Sequence, residues 1–351
     1  MGDIYLGGHH PIAIQSMTNT ETADAERTLE QVRRLEAAGC DIVRISVPTE
    51  EAAYTVWKLK EAGIRIPLVA DIHFDYRIAL RCAELGFDKI RINPGNIGDD
   101  ERVRAVCKAC RERNIPIRIG VNSGSLEKHI LEKYGAPTPQ ALCESALYHL
   151  SLLERFDFYD ALVSIKASTV ADMIAANRLL ASKCKYPLHL GVTEAGGGER
   201  GMLKSAVGIG SLLCDGIGDT LRVSLTDDPV KEVAAAKQIL NAVGIEGQSG
   251  LDIVSCPTCA RTKIDLISLY RRFEEAVRDA GLDRVPVKIA LMGCAVNGPG
   301  EAREADVGIA GGIGEAVLFR HGEIVEKIPE GEIIERLLQE IRILKDKEYN
   351  E

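Results

Sequence analysis

Three cysteines in the C-terminal third of the chain have the type and spacing of metal ligands. Cys256 and Cys259 are separated by two residues in VSCPTCARTKIDL, and Cys294 ends a predicted strand in MGCAVNGPGEAREAD. Glu301 follows seven residues after Cys294, and the turn-rich segment between them can carry its carboxylate back to the cysteines. Three thiolates and one oxygen donor fit either a [4Fe-4S] cluster with one non-thiolate iron or a zinc ion. The spacing leaves both open, together with an unligated cysteine pair.

The other cysteines are predicted to be core residues. Cys107 and Cys110 repeat the two-residue spacing, but they lie in the helical segment ERVRAVCKACRERN. Ten cysteines in a reducing compartment do not indicate a disulfide framework, and most should be small buried apolar residues. The remaining cysteines lie on apolar faces, where we expect burial: Cys40, Cys82, Cys143, Cys184 and Cys214.

A second group of residues consists of single cations inside apolar strand segments. Side chains alternate along a strand, so each cation points away from its apolar neighbours and, in a barrel, towards the axis. Five like charges in a partly dry site need a matching anion, and guanidinium groups suit phosphate or carboxylate oxygens. The alternative is that each cation is paired with an Asp or Glu. The pattern predicts a small polyanion, with a diphosphate as the leading candidate, bound by Arg44, Arg91, Arg118, Lys166 and Arg222.

Further polar residues are expected at the same strand ends. Glu194, in the glycine-rich segment GVTEAGGG, is the candidate general acid, because neighbouring cations and glycines indicate a loop over a substrate. A His or Glu at a strand end can also be a hydrogen-bonded support. The expected set beside the cations is Asp71, His73, Asn93, Asn122, Thr193 and Glu194.

A repeating pattern must position these side chains. From Ile12 onward, a short apolar segment followed by an amphipathic helical segment recurs eight times. Strands that alternate with helices indicate parallel βαβ units, and eight of them predict a (β/α)8 TIM barrel over residues 1–244. In such a barrel the cations lie towards the C-terminal ends of the strands, where active sites form. An open doubly wound sheet is the alternative.

The pattern changes after Gly244. The stretch GIEGQSG resembles a linker, and a strand into Cys256, a long helix and a second strand into Cys294 follow it. A hairpin around His321 and a charged terminal helix complete the chain. We therefore predict a small α+β domain over residues 251–351.

Composition excludes several classes of protein. Without a long uncharged apolar run or a signal-peptide pattern at the start, the chain is predicted to be a cytoplasmic protein that does not enter membranes. The formal net charge of -9 argues against a general nucleic-acid surface. A cysteine-based sensor or nucleic-acid-binding module is the non-enzymatic alternative, but the C-terminal segment has no basic stripe with interleaved aromatics.

These motifs together resemble the bacterial two-domain 4-hydroxy-3-methylbut-2-enyl diphosphate synthases of the non-mevalonate isoprenoid pathway. The resemblance runs from GGHHPIAIQSMTNTET through ADIHFD, KIRINPGN and GVTEAG to CPTCART and GCAVNGPGEAREADVGIAGG, over nearly the whole chain. It implies a [4Fe-4S] cluster on Cys256, Cys259 and Cys294, with Glu301 as the fourth ligand. It also implies reductive ring opening and dehydration of 2-C-methyl-D-erythritol 2,4-cyclodiphosphate. A zinc-dependent barrel acting on a phosphorylated or pterin-like substrate is the rival enzyme class.

The resemblance also assigns roles. Reduced ferredoxin or flavodoxin is the implied electron donor, and Glu194 protonates or positions the substrate. One departure is Ala260, where the family often has Gly; Ala is a mild penalty if that residue needs a positive φ. The implied diphosphate ligands are Arg44, Arg91, Arg118, Asn122, Lys166 and Arg222, with supporting contacts from His73, Asn93, Thr193 and Ser224.

Chain geometry predicts how the two domains cooperate. The last helix of a (β/α)8 barrel runs away from the catalytic face, so the second domain starts at the opposite end. A seven-residue linker spans at most roughly 25 Å, about the length of the helix that it would retrace. We therefore expect a head-to-tail homodimer in which the cluster domain of one subunit covers the barrel of the other.

Overall fold

The computed structural model describes residues 1–2, 4–167, 169–245, 250–283, 285–294 and 303–348. The chain divides into two compact units, Met1–Val243 and Gly244–Glu351. Each unit is described by itself below.

The first unit is a barrel of eight parallel strands in the order β6-β5-β4-β3-β2-β1-β8-β7. A bridge between Val163 and Leu188 joins β6 to the segment that enters β7, and so closes the ring. The predicted (β/α)8 barrel is thereby confirmed, and the open sheet is wrong. The strands are β1 Ala13–Met17, β2 Ile42–Ser46, β3 Leu68–Asp71, β4 Lys89–Ile92, β5 Ile117–Asn122, β6 Ala161–Lys166, β7 His189–Leu190 and β8 Thr220–Leu221.

Two strands are shorter than the sequence pattern predicts. β7 and β8 each contribute two residues to the ladder, although the segments PLHLGVT and DTLRVSL suggest longer strands. At Gly191, just after β7, an added Cβ would lie 3.0 Å from the carbonyl oxygen of Arg222. The chain therefore continues past both strands as closely packed loops, and these loops carry Thr193, Glu194 and Arg222.

Helices follow the strands, and most begin at a side-chain cap. Asp24, Thr49, Asp75, Asp99 and Thr138 each accept a hydrogen bond from a backbone N–H in the first turn of the next helix. The barrel helices are α1 Ala25–Ala37, α2 Glu50–Ala53, α3 Thr55–Glu61, α4 Tyr76–Leu85, α5 Pro94–Ile97, α6 Asp100–Arg111, α7 Lys128–Tyr134, α8 Pro139–Glu154, α9 Val170–Ala181, α10 Gly198–Cys214 and α11 Pro229–Ala242.

The structure differs from the predicted helices in two places. The second predicted helix is split into α2 and α3 at Tyr54, whose backbone N–H donates to the carbonyl of Glu51 in a tighter turn. The short helices α5 and α7 lie in loops that the pattern left unassigned. Within the described ranges, no helix is both long and apolar enough to cross a lipid bilayer.

In the described part of the second unit, a five-stranded sheet in the order β13-β12-β11-β10-β9 packs with two α-helices. Strands β9, β10 and β11 pair in parallel, whereas β11, β12 and β13 pair antiparallel. The hairpin turn lies at His321 and Gly322, as predicted. Phe273 and Ile341 belong to its apolar core. The elements are β9 Asp252–Ser255, α12 Leu266–Asp279, β10 Lys288–Met292, β11 Val307–Gly311, β12 Glu315–Arg320, β13 Glu323–Pro329 and α13 Ile333–Glu348.

Candidate active site

A cavity of about 440 Å³ lies at the C-terminal ends of the barrel strands. Its volume is within the range of small-molecule sites, and it lies on the face where such barrels carry out chemistry. Cations, amides and hydroxyls dominate its wall, so it is suited to a polar, anionic ligand. The lining residues are Arg44, His73, Arg91, Asn93, Asn96, Asn122, Ser123, Gly124, Lys166, Ala167, Thr193 and Glu194.

Asp71 is the buried counterion of this wall. Its carboxylate accepts a hydrogen bond from Arg91 Nη1 at 2.9 Å, and Arg44 Nε lies 3.6 Å from its other oxygen. His73 Nε2 lies 4.0 Å from the same oxygen as Arg44. Burial alone would raise the pKa of Asp71, but Arg44, Arg91 and Arg118 together lower this pKa to about 2. Asp71 therefore stays ionised and orients two of the cations.

Arg91 is also positioned by the neighbouring strand. Its guanidinium lies against Gly120 of β5, where an added Cβ would come within 2.8 Å of Nε and Nη2. A larger side chain at Gly120 would push the guanidinium out of place. Gly120 is therefore a packing requirement for Arg91.

A second buried carboxylate holds Arg222. Glu232, near the start of α11, accepts hydrogen bonds from Arg222 Nη2 at 3.1 Å and Nε at 3.2 Å. Ser16 Oγ donates to the same carboxylate at 2.9 Å. The sulfur of Met17 contacts Arg44 Nε at 3.0 Å and Arg222 Nη1 at 3.6 Å. Glu232 and Met17 thus fix two cations, and sequence reasoning missed both residues.

Arg118 and Lys166 have no such carboxylate among the described residues. Arg118 is 1% exposed, and its Nε and Nη1 have no hydrogen-bond partner in the described part of the chain. Burial, followed by the charges of Arg44 and Arg91, lowers the pKa of Arg118. Burial, Arg44 and Arg222 likewise lower the pKa of Lys166. Five cations therefore face two buried carboxylates, and the site has an excess of positive charge.

Glu194 lies on the wall of the cavity in a strained backbone conformation. It is exposed, and its φ of 57° lies in the left-handed region that side chains other than glycine rarely adopt. Next to it, the Thr193 hydroxyl is buried without a hydrogen-bond partner in the described residues, and so is the Ser224 hydroxyl after β8. Thr193 and Glu194 therefore line the cavity beside the cations, and Ser224 lies two residues after Arg222 on the loop that follows β8.

The structure brings most of the predicted residues together. Eight of the twelve predicted barrel residues line the cavity, and four lie outside its lining: Asp71, Arg118, Arg222 and Ser224. Sequence reasoning missed four lining residues. They are polar or small residues within four positions of the ends of β4, β5 and β6, and that position was the available signal: Asn96, Ser123, Gly124 and Ala167.

The cysteine group occupies two neighbouring loops of the second unit. Cys256 and Cys259 follow β9, and Cys294 follows β10, its parallel neighbour. The backbone N–H of Gly293 donates to Cys256 Sγ at 3.3 Å, and hydrogen bonds from Arg261 lower the pKa of the Cys259 thiol. No three Cys, His, Asp or Glu side chains in the described ranges are placed to hold one metal ion. Glu301 lies outside the described residues.

Local backbone geometry holds the first cysteine loop. Cys259 N–H donates to Thr262 Oγ1 at 3.0 Å, and Lys263 N–H donates to the carbonyl of Gly293 at 2.8 Å. An added Cβ at Gly293 would lie 2.8 Å from the Thr262 side chain, so the two loops require glycine there. The residue with positive φ in this loop is Thr258 rather than Ala260, so the expected penalty at Ala260 does not arise.

The other cysteines follow the prediction with two exceptions. Cys107 and Cys110 are fully buried in α6, and burial raises the pKa of both thiols to about 12. Cys214 is exposed and Cys184 is only partly buried, so the prediction of core positions is wrong for them. Both lie at or just beyond a helix end, where an apolar neighbourhood in sequence does not guarantee burial.

Comparisons with known proteins identify the family. Residues 1–237 match the family model described as the GcpE TIM-barrel domain, and residues 252–343 match the GcpE protein C-terminal domain. In Caldanaerobacter subterraneus subsp. tengcongensis, the 4-hydroxy-3-methylbut-2-en-1-yl diphosphate synthase (flavodoxin) is 56% identical over 341 residues, 97% of this chain and 95% of the relative. The Clostridium perfringens protein of the same name is 55% identical over 344 residues, 98% and 97% of the two chains.

One solved structure shows the fold alone. The N-acetylneuraminic acid synthetase of Leptospira borgpetersenii serovar Hardjo-bovis has a TM-score of 0.51 and 13% identity, over 79% of this chain and 96% of its own. The family follows instead from the two matched domains and the near full-length relatives, as the sequence motifs predicted. The chain belongs to the GcpE family of 4-hydroxy-3-methylbut-2-en-1-yl diphosphate synthases.

Proposed function

We propose that this enzyme converts 2-C-methyl-D-erythritol 2,4-cyclodiphosphate to (E)-4-hydroxy-3-methylbut-2-enyl diphosphate. One ring carbon–oxygen bond breaks, a hydroxyl leaves as water and a double bond forms, at the cost of two electrons and one proton. The observation that carries the proposal is the excess of cations over buried carboxylates in a cavity at the catalytic face of the barrel. The names of the relatives support the same product.

The cations would hold the diphosphate. Arg44 and Arg91 are oriented by Asp71, and Arg222 is oriented by Glu232, so these guanidiniums are fixed before a ligand arrives. Preorganised donors of this kind lose little freedom on binding. Arg118, Lys166 and Asn122 complete the proposed diphosphate site, with support from His73, Asn93, Thr193 and Ser224.

Glu194 would deliver the proton that turns the departing hydroxyl into water. Its carboxylate lies on the cavity wall beside Thr193, and its strained backbone favours a loop with more than one arrangement. The adjoining Gly196, with φ of 93°, gives this loop the freedom to close over a substrate.

The residues of the second unit fit a [4Fe-4S] cluster. Cys256, Cys259 and Cys294 lie on adjacent loops, and the lowered pKa of Cys259 favours the thiolate that ligates iron. When bound, the cluster supplies one-electron transfer. Glu301 is the proposed fourth ligand. A zinc ion on the same residues, with each sulfur about 2.3 Å from the metal, is the alternative.

The domain roles and partners follow from this assignment. Residues 1–244 would bind the substrate, and residues 251–351 would hold the cluster. The linker argument supports a head-to-tail homodimer with an active site shared between subunits. Reduced flavodoxin, which the names of the relatives contain, is the proposed electron donor, with ferredoxin as the alternative, and the cytoplasm is the proposed location.

The shared site has a direct test. A mixture of a Cys256→Ser variant with a Glu194→Ala variant should regain activity, because some heterodimers contain one intact active site. Well-formed mixed dimers that remain inactive would contradict the head-to-tail arrangement.

The function itself is tested by an anaerobic assay of the purified protein with the cyclodiphosphate and a strong one-electron reductant. We expect the linear diphosphate product, a brown protein and about four irons per chain. A colourless protein that binds a single zinc and forms no product would support the zinc-dependent alternative instead.

A further inference from the structure

The interior of the barrel below the cavity is unusually polar. Barrels of this class normally fill this space with branched apolar side chains. Here six strands contribute polar side chains that are at most 1% exposed, and each has a side-chain polar atom without a hydrogen-bond partner in the described residues. We call this set the buried polar layer: Gln15, Lys89, Arg118, Ser164, His189 and Thr220.

Strand alternation places this layer directly beneath the cavity. Lys89 and Arg91 are two residues apart on β4, and Arg91 lines the cavity. Ser164 and Lys166 have the same relation on β6. Side chains two apart on a strand share a face and are separated by about 7 Å. Lys89 and Ser164 therefore lie one step below Arg91 and Lys166, which line the cavity.

Lys89 is the residue of this layer whose charge is most easily changed. Its ammonium group is fully buried, with no hydrogen-bond partner in the described part of the chain. The charged groups nearest to it are Arg118 on β5, Arg44 on β2 and Asp160 before β6, and His189 faces it from β7. Burial, then Arg118 and Arg44, lower the pKa of Lys89 to about 7, against the weaker effect of Asp160.

The neighbours of Lys89 do not share this property. Guanidinium groups remain protonated at neutral pH, so Arg118 and Arg44 keep their charges. Burial and the cations Arg118 and Lys166 hold the pKa of His189 well below its usual value, so that imidazole stays neutral. Lys89 is thus the group in this layer whose pKa lies near neutral pH, and a nearby negative charge would raise that pKa and favour proton uptake.

We propose that Lys89 is a positioning residue that takes up a proton when a polyanion fills the cavity above it, so that anion binding is coupled to proton uptake. The inference rests on the anion site of the proposed function. A neutral amine avoids an unpaired buried charge in the free enzyme, and an ammonium adds attraction once the anion is present. Binding should therefore be tighter at lower pH and weaken as the pH rises above about 7.

Lys166 is the competing site of proton uptake. It lines the cavity, and burial together with Arg44 and Arg222 lowers its pKa as well. The test therefore uses a Lys166→Arg background, in which the cation at this position stays protonated throughout.

The experiment is calorimetric titration with sulfate, which does not itself titrate near neutral pH, in HEPES and in Tris at pH 8. The difference between the buffers gives the protons taken up for each anion bound. We expect about half a proton in Lys166→Arg and close to none in Lys166→Arg/Lys89→Met. Lys166→Arg/Lys204→Met, altered at an exposed lysine of α10, should match its parent. Sulfate affinity should fall about fivefold from pH 7 to pH 9 in the parent and stay level in the Lys89→Met variant.

Equal uptake with and without Lys89, or no uptake in the parent, would overturn the inference. If the Lys89→Met variant does not fold, the pH profile of uptake in the parent decides. A maximum between pH 7 and 9 supports Lys89, whereas a maximum below pH 6 assigns the proton to His189 and refutes the proposal. If sulfate does not bind at all, the anion site itself is wrong, which is a distinct failure from binding without proton uptake.

Discussion

The interior of the barrel and the core of the second unit use opposite chemistry. The barrel interior contains the buried polar layer, each member of which has a polar atom without a hydrogen-bond partner in the described residues, and cations lie above it. The core of the second unit is apolar, with Phe273, Val307 and Ile309 fully buried, and its reactive cysteines lie on loops beyond the strands. The barrel thus buries polar and charged groups in its interior, whereas the second unit has an apolar core and carries the proposed cluster ligands on loops.

The largest expected effect is at the cysteine loops of the second unit. Cys294→Ser should lower activity by about a thousandfold or more and remove most of the iron, because a thiolate ligand is lost. The fold of the second unit should persist, since the loop contributes little to the apolar core. Activity and iron content measured beside the exposed Cys214→Ser control would check this. Full iron and activity in Cys294→Ser would remove the cysteine from the ligand set.

The next effect concerns Glu194 in the barrel. Glu194→Gln keeps the size of the side chain but removes its proton, and kcat should fall by about a hundredfold with a small change in KM. Glu199→Gln in the first turn of α10 is the matched control. A change confined to KM would show that Glu194 binds the substrate without transferring a proton.

Asp71 tests how much a buried carboxylate stabilises the barrel by offsetting its buried cations. The pKa of about 2 implies that ionised Asp71 stabilises the fold by about 2 kcal/mol, fully at pH values above about 4 and progressively less as the pH falls towards 2. Asp71→Asn should lower the free energy of unfolding by about that amount at pH 7. The difference from the unmodified protein should shrink below pH 4.

Thermal unfolding across that pH range, with and without sulfate, measures the Asp71 effect. Asp215→Asn, which breaks an exposed ion pair with Arg178, should change stability by less than about 1 kcal/mol. An Asp71→Asn variant as stable as the control would mean that this carboxylate does not offset the cations.

The smallest effect compares the two interiors directly. Thr220→Val replaces a buried barrel hydroxyl that has no hydrogen-bond partner in the described residues, and it should leave stability unchanged or raise it by up to about 1 kcal/mol. Val307→Thr makes the reverse change in the apolar core and should lower stability by about 1 to 2 kcal/mol. Calorimetric unfolding of both variants measures the pair. Effects of the same sign would end the contrast between the two regions.

Much of this arrangement could be predicted from the sequence, because it depends on periodic patterns. Eight apolar segments alternating with amphipathic segments specified the barrel, and single cations such as Arg91 within them indicated an inward charge. The motif resemblance supplied the family, which the matched domains confirm. Strand alternation then accounts for the group of cations around one cavity.

What the pattern could not supply were contacts between residues distant in sequence. Glu232 lies on α11 and contacts both Arg222 and Ser16, a pairing that depends on how α11 packs against β1. The shortness of β7 and β8 depends on close packing at Gly191. In the sequence Lys89 looks like an ordinary charged residue at the start of a strand, and only the fold shows that its ammonium group is buried without a hydrogen-bond partner in the described residues.

Among the described residues, the shortest pairing in the ring of strands is between β6 and the segment that enters β7, where one bridge joins Val163 to Leu188. Amide protons beside it should exchange with deuterium earlier than those of β2 to β5, where the ladders are longer. A small widening there would move Lys166 relative to Thr193 while the other strands stay paired. One flexible junction in an otherwise rigid ring would let the same cavity adjust to ligands of different shape.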